Sequence, residues 1–216
     1  MRSFDEYLNR IIDEYTSKAY ASEVKKARKE FFDAIGNVHE DDIFFETYMK
    51  AFTDWYIFDR DIAGQDLPPA RLYYRKYFKD LSPEEKEIYK DFTKYRHSFF
   101  VVKKVTPTSL LLQDLFYNEK IKIENAVPTI GFTAGDIFES IIIPYQSHLM
   151  FTENIFSHPP ETKSFIKKEM KKIQNLDTKI LLKTLLKLKR LKLKCDRYPH
   201  VHPLQIYNPE EFNRNA

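Results

Sequence analysis

Glycine is scarce in this chain: Gly36, Gly64, Gly131 and Gly135 are the only four among 216 residues. Phosphate-cradling loops need several glycines in a fixed short pattern, and neither the P-loop nor the dinucleotide-binding pattern occurs. That argues against a nucleotide hydrolase or a nicotinamide-dependent dehydrogenase of the usual kinds. Cysteine is scarcer still. A single Cys195 cannot form an internal disulfide, and no CxxC pair exists for structural zinc. No apolar run approaches the roughly 18 residues that a membrane-crossing helix requires. The opening "MRSFDEYLNRIIDEY" carries charge throughout and has no apolar centre, unlike a secretory signal, so a cytoplasmic location is expected. Nucleophilic catalysis lacks its frame too, since no G-x-S-x-G elbow is present.

What the chain does have is aromatic mass. Eighteen Phe and 14 Tyr accompany 43% hydrophobic and 31% charged residues. Disordered chains are poor in aromatics because they cannot offset conformational entropy by burial, so most of this chain is expected to fold around a core. Net charge is only +3, but it is polarised: residues 161–197 hold 13 Lys/Arg against 4 Asp/Glu. A basic C-terminal segment therefore adjoins a mildly acidic body.

Ser3 and Glu6 form a capping-box pattern at the start of an amphipathic helix, with Phe4, Tyr7, Leu8, Ile11, Ile12 and Tyr15 on one stripe. A second helix carries Val24, Ala27, Phe31, Phe32 and Ile35 before a C-capping Gly36. Residues 43–59 read as a helix apolar on nearly every side, which belongs in the middle of a domain. A short helix over "ARLYYRKYF" follows. Another then opens at Ser82 with Pro83 at its first position. From residue 98 the period changes. "SFFVVKKV", "SLLLQDLF", "EKIKIEN", "DIFESIII" and "HLMFTE" are short runs separated by turn residues, including "VPTIGFTAGD". Five such strands predict a small antiparallel β-sheet or partly closed barrel. The fold class is α+β, with a helical segment over 1–97, a small antiparallel β unit over 98–156 and a basic C-terminal helix and tail over 157–216.

"FTDWYIFDR" at 52–60, together with "LLLQDLFYNEKIKIEN" and "GDIFESIIIP" in the β unit, resembles a group of bacterial proteins of unknown function. Members of that group often end in a SEC-C motif, a short Cys/His zinc-binding tail. The resemblance covers roughly 45–156 and implies no catalytic residues. The SEC-C cysteine pattern is absent here, with only Cys195, His200 and His202 in the corresponding region.

The most distinctive stretch is "TKILLKTLLKLKRLKLK", residues 178–194. As a helix it places Lys183, Lys187, Arg190 and Lys194 on one stripe with Lys179 beside it. Leu181, Leu185 and Leu188 fill one arc, and Leu182, Leu186 and Leu193 another. A basic stripe tracks a phosphate backbone and releases its counterions, so nucleic acid is one expected partner. A protein partner or self-association through the leucine face is a second, while an anionic membrane surface is a weaker fit. The alternation in "LKLKRLKLK" also fits a strand, which would abolish the stripe. Cys195, His200 and His202 form a candidate zinc set of legitimate ligand types, although their spacing matches no strong signature. His39 with Glu40, Asp41, Asp42 and Glu46 is a candidate divalent-ion cluster, read first as helix-capping carboxylates. Aromatics of the β unit, among them Phe99, Phe100, Phe116, Tyr117, Phe132, Phe138, Tyr145 and Phe151, include candidates for a base-stacking surface. The reading that combines these features is a non-enzymatic binding or adaptor protein. The alternative from another class is a metal-dependent enzyme using the His200 and His202 region or the His39 acidic cluster.

Overall fold

The computed structural model describes residues 3–124 and 131–214. Helix α1 (Phe4–Thr16) starts at the capping box, with Ser3 Oγ accepting from the Glu6 amide and Glu6 accepting from the Ser3 amide. Helix α2 (Ala21–Ile35) follows a single 3₁₀ turn, and α3 (Phe45–Asp54) runs directly into a π-helical turn, Trp55–Asp59. That turn closes with the Arg60 amide donating to the Trp55 carbonyl at 2.9 Å. Widening the helix by one residue per turn lets Trp55, Tyr56, Ile57 and Phe58 all be buried in succession. This explains the apolar run at 55–58, whereas Ile43, expected in the same helix, precedes α3 and is exposed. Helices α4 (Pro69–Tyr77) and α5 (Pro83–Phe92) complete the first series, α5 with a second capping box at Ser82 and Glu85.

The strands are β1 (Arg96–Thr106), β2 (Ser109–Asp114), β3 (Lys120–Glu124), β4 (Ile137–Tyr145), β5 (His148–Phe151) and β6 (Phe156–Ser157). They form an antiparallel sheet of order β3-β2-β1-β4-β5, curled into half a barrel, with β6 added against β4. All five expected strands are present, and the two-residue β6 had no sequence signal. The expected strand end at Asn125 and the turn residues 127–130 lie outside the described residues. Helices α6 (Lys163–Lys172), α7 (Thr178–Arg197), α8 (Pro203–Ile206) and α9 (Pro209–Asn213) follow. The leucine–lysine segment is helical throughout, so its alternation does not make a strand.

Contacts group the chain differently from the three consecutive segments read in the sequence. One compact unit comprises residues 1–31, 46–96 and 141–154; the other comprises 32–45, 97–140 and 155–216. In the first unit, Phe4 stacks on Phe92 at 5.3 Å between centroids, and Tyr7 meets Tyr89 edge-on at 5.6 Å. Tyr56 is buried with its hydroxyl donating to the Tyr15 carbonyl, so a large ring enters the core without leaving a polar atom unpaired. Arg60, only 7% exposed, ties α2 to the π turn. Its Nη1 bonds Glu23 at 2.7 Å and its Nε bonds Glu30 at 2.9 Å. The arginine that organises this region is thus the one directly after "WYIFD".

In the second unit, Phe99, Phe116, Ile166, Met170, Leu185, Leu188 and Leu191 share one core. Asp114, at the end of β2, is buried and accepts from Ser98 Oγ and from the amides of Phe116 and Tyr117. An Asx turn of this kind ends a strand by satisfying the amides that leave the ladder.

Candidate functional site

Helix α7 begins at Asp177, whose carboxylate accepts from the Lys179 amide at 2.7 Å. Leu181, Leu185, Leu188 and Leu191 are buried in the core of their own unit, each contributing about 1.5–3 kcal/mol of burial. Leu193 is buried as well, its methyl standing 3.1 Å from where a Cβ on Gly36 would lie. The leucine face is therefore covered from within. Leu176 and Ile180, at the start of the helix, are exposed.

One cation of the helix points inward. Lys189 is 1% exposed and pairs with Glu139 of β4, itself 0% exposed. The same carboxylate oxygen lies 2.6 Å from His97 Nε2. An ionised carboxylate only accepts, so Nε2 carries the proton. Burial pushes the Glu139 carboxyl up, but the Lys189 ammonium and His97 outweigh that and hold it well below the ordinary carboxylate range. Beside this pair, His158 is hydrogen-bonded through Nδ1 to the Tyr207 hydroxyl at 2.7 Å, among the rings of Phe99 and Phe156. Burial pushes its imidazole down to about 3, so it is neutral near pH 7. Burial likewise keeps Tyr207 protonated. This buried chain seats α7 on β4 and fixes the start of the C-terminal segment.

The structure places the five residues of the expected stripe in two groups. Lys179 and Lys183 are exposed. Lys187, Arg190 and Lys194 are half-buried under α9. Lys187 Nζ sits 5.0 Å above the Phe212 ring, Arg190 Nη2 donates to the carbonyls of Glu211 and Phe212, and Lys194 pairs with the Glu211 carboxylate. Glu211 is held below its usual carboxylate range chiefly by its hydrogen bond to Lys194. The C-terminal helix thus partners the stripe's second half.

A second basic group has formed nearby in sequence. In α6, Lys163, Lys167 and Lys171 recur every fourth residue along a line beside the buried Ile166 and Met170. Lys103 joins them from β1. The β1–β2 register pairs Val102 with Leu112 but Lys104 with Leu111, so Lys103 is the extra residue of a bulge, a device that re-aims a side chain. Gly135, at φ +103°, brings its backbone close to Lys163. A Cβ there would lie 3.2 Å from Nζ. Partial burial, then the charges of Lys163 and Lys103, push the Lys167 ammonium down. Among the described residues, none of these three lysines has an ion-pair partner. The four-residue repeat in "KSFIKKEMKK" was the available sequence signal for α6. Nothing in the sequence showed that a bulge would add Lys103.

The candidate zinc ligands are not brought together. Among the described residues, no three His, Cys, Asp or Glu side chains stand close enough to hold one ion. Cys195 is half-buried, with its thiol pushed up to about 11 by burial, opposite to the thiolate a metal needs. His202 is the N-cap of α8, its Nδ1 accepting from the Leu204 amide, while His200 is exposed. His39 and its acidic neighbours form a turn in which Asp42 accepts from the His39 amide. Of the β-unit aromatics, Phe99, Phe100, Phe116 and Phe138 are buried, leaving Tyr117, Phe132, Tyr145 and Phe151 half-buried.

Fold and surface together define an α+β protein with a lysine-rich face on its second unit. The chain belongs to a family of unknown function (DUF7986), which it matches over residues 1–180. No curated protein and no solved structure matches it. The match includes α6 and Lys103 and stops within the first turn of α7. No described helix is long and apolar enough to cross a membrane.

Proposed function

We propose that this protein is a binding or adaptor protein that engages nucleic acid through the basic face of its second unit. The observation supporting this most directly is the crowding of Lys103, Lys163 and Lys167. Partial burial first, and then the charges of Lys163 and Lys103, lower the proton affinity of Lys167, and three like charges with no carboxylate partner among the described residues are an unfavourable arrangement in isolation. A run of phosphates relieves it and releases counterions on binding. Lys171 extends the line along α6, and the exposed Lys179 and Lys183 add charge from α7. Lys187, Arg190 and Lys194 contribute less while α9 occupies them. Contacts of this type are made to the backbone and carry no base sequence, so the expected binding is weak and sequence-tolerant.

The test is fluorescence anisotropy of a labelled single-stranded RNA and a labelled DNA duplex. Each is titrated with the full chain at about 50 and 200 mM salt, over which phosphate contacts lose most of their affinity. A K163Q/K167Q/K171Q variant changes exposed or half-exposed side chains only, so it leaves the core intact. Binding that weakens steeply with salt and is lost in the triple variant supports the proposal. Absence of binding at the lower salt, or equal binding by the triple variant, refutes it.

A further inference from the structure

The first unit contains a cavity of about 260 Å³ between α1, α3 and residues 152–154. That is slightly below the usual range of small-molecule pockets, about 300–1,000 Å³, so it selects a small ligand. Three polar side chains withdrawn from solvent converge on it: Asp54, 7% exposed, Thr152, 3%, and Asn154, 5%. Asp54 closes α3 at the junction with the π turn, and its Oδ2 accepts from Thr152 Oγ1 at 2.8 Å. Leu8, Ile12 and Met49 supply apolar wall, and at the mouth stand Asp5, Glu46 and Glu153. The single cation of the lining, Lys50, lies 3.4 Å from Glu153.

Four carboxylates against one lysine make the cavity a focus of negative potential enclosed by low-dielectric walls, which attracts a cation. The cation is not a metal ion, because these carboxylates do not converge on one point. One buried carboxylate, Asp54, the exposed carboxylates of Asp5, Glu46 and Glu153, and the apolar side chains of Leu8, Ile12 and Met49 in the same lining together suit positive charges joined by a short aliphatic chain. We propose that this cavity binds a short aliphatic diamine. One ammonium bonds Asp54, the methylenes lie along Leu8, Ile12 and Met49, and the second ammonium reaches Asp5 and Glu46. The site lies wholly within the first unit and is independent of the nucleic-acid reading.

Isothermal titration calorimetry of the full chain with 1,4-diaminobutane tests this, with butylamine and magnesium chloride as comparisons. Saturable binding of one diamine per chain is expected, several-fold weaker for butylamine. D54N is expected to weaken it by about tenfold or more, since it removes a charge-assisted hydrogen bond. Asp54 also has a structural partner, so a D5N/E46Q variant at the exposed mouth provides a second readout that does not depend on the buried site. It is expected to weaken the diamine severalfold and to leave butylamine nearly unchanged. No saturable heat up to about 1 mM diamine overturns the inference. So does equal competition by magnesium, which marks diffuse screening of an acidic surface, or unchanged diamine affinity in D5N/E46Q.

Discussion

Lys189 of α7 and Glu139 of β4 form an ion pair with both side chains out of solvent, and His97 shares the same carboxylate oxygen. Removing one partner leaves a buried charge uncompensated, which costs far more than the pair itself contributes. Lys189→Met is expected to destabilise the protein by about 3–5 kcal/mol in urea denaturation. Combining it with Glu139→Gln, which removes the stranded charge, should recover a large part of that loss. A double variant as unstable as the single one would show that Lys189 acts through packing rather than charge.

His158 gives the protein an acid limit. Its folded value is depressed to about 3 by burial, below the ordinary histidine value. The unfolded chain therefore takes up a proton, as pH falls below about 6.5, that the folded chain refuses. Stability is present above about 6.5 and is lost progressively below it, with a slope approaching 1.4 kcal/mol per pH unit. Glu139, also depressed, adds its loss only below the ordinary carboxylate range, so between about 4.5 and 6.5 that loss has not begun, and comparison with a His158 variant separates this histidine from the others. Chemical denaturation at several pH values should show this slope in the native protein and a flattened one in His158→Gln.

Helix α9 covers the second half of the α7 stripe. Ending the chain after Asn208 removes the Glu211 carboxylate, the Phe212 ring and the two carbonyls that hold Lys194, Lys187 and Arg190. If the stripe joins the nucleic-acid contact, three cations are released. The slope of log affinity against log salt should then steepen by about two to three, at roughly 0.9 per phosphate on a duplex. An unchanged slope in salt-titrated anisotropy would remove α7 from the interface.

Arg60 grips two carboxylates of α2 from the π turn. Lysine cannot reproduce this fork, and it also forfeits the guanidinium's place 5.9 Å from the Trp55 ring centroid. Arg60→Lys is expected to cost about 1–3 kcal/mol, measured by thermal or urea unfolding. A cost near zero would mean that Glu23 and Glu30 find water instead.

Cys195 should be a slow thiol. With its value raised to about 11 by burial, only about one molecule in a thousand is thiolate at pH 8. Labelling by a disulfide reagent is expected to be orders of magnitude slower than for a free cysteine, and to accelerate once the protein is unfolded.

The local features were legible because each depends on a few adjacent residues. Ser3 with Glu6 and Ser82 with Glu85 start helices where expected, since a cap is a short-range hydrogen-bond exchange. The five strand runs were visible through β-branched and aromatic residues between turn residues. The π turn was not, because Trp55–Asp59 differs from an α-helix only in how one residue is accommodated. The leucine–lysine segment is helical, one of the two readings its sequence allowed, and the availability of Lys187, Arg190 and Lys194 depends on an α9 segment about 20 residues further along.

By itself, then, the sequence determined the α+β class, the strand set and the concentration of positive charge in residues 161–197. These follow from periodicity, capping and composition, which act over a few residues. Tertiary structure alone decided that Lys189 turns inward to Glu139, that α9 covers Arg190 and Lys194, and that a bulge sends Lys103 toward Lys163 and Lys167. It also decided that Asp54 lines a cavity with Asn154. Each of these joins residues far apart in the chain, and which charge is paired, buried or exposed is settled only when the chain closes on itself.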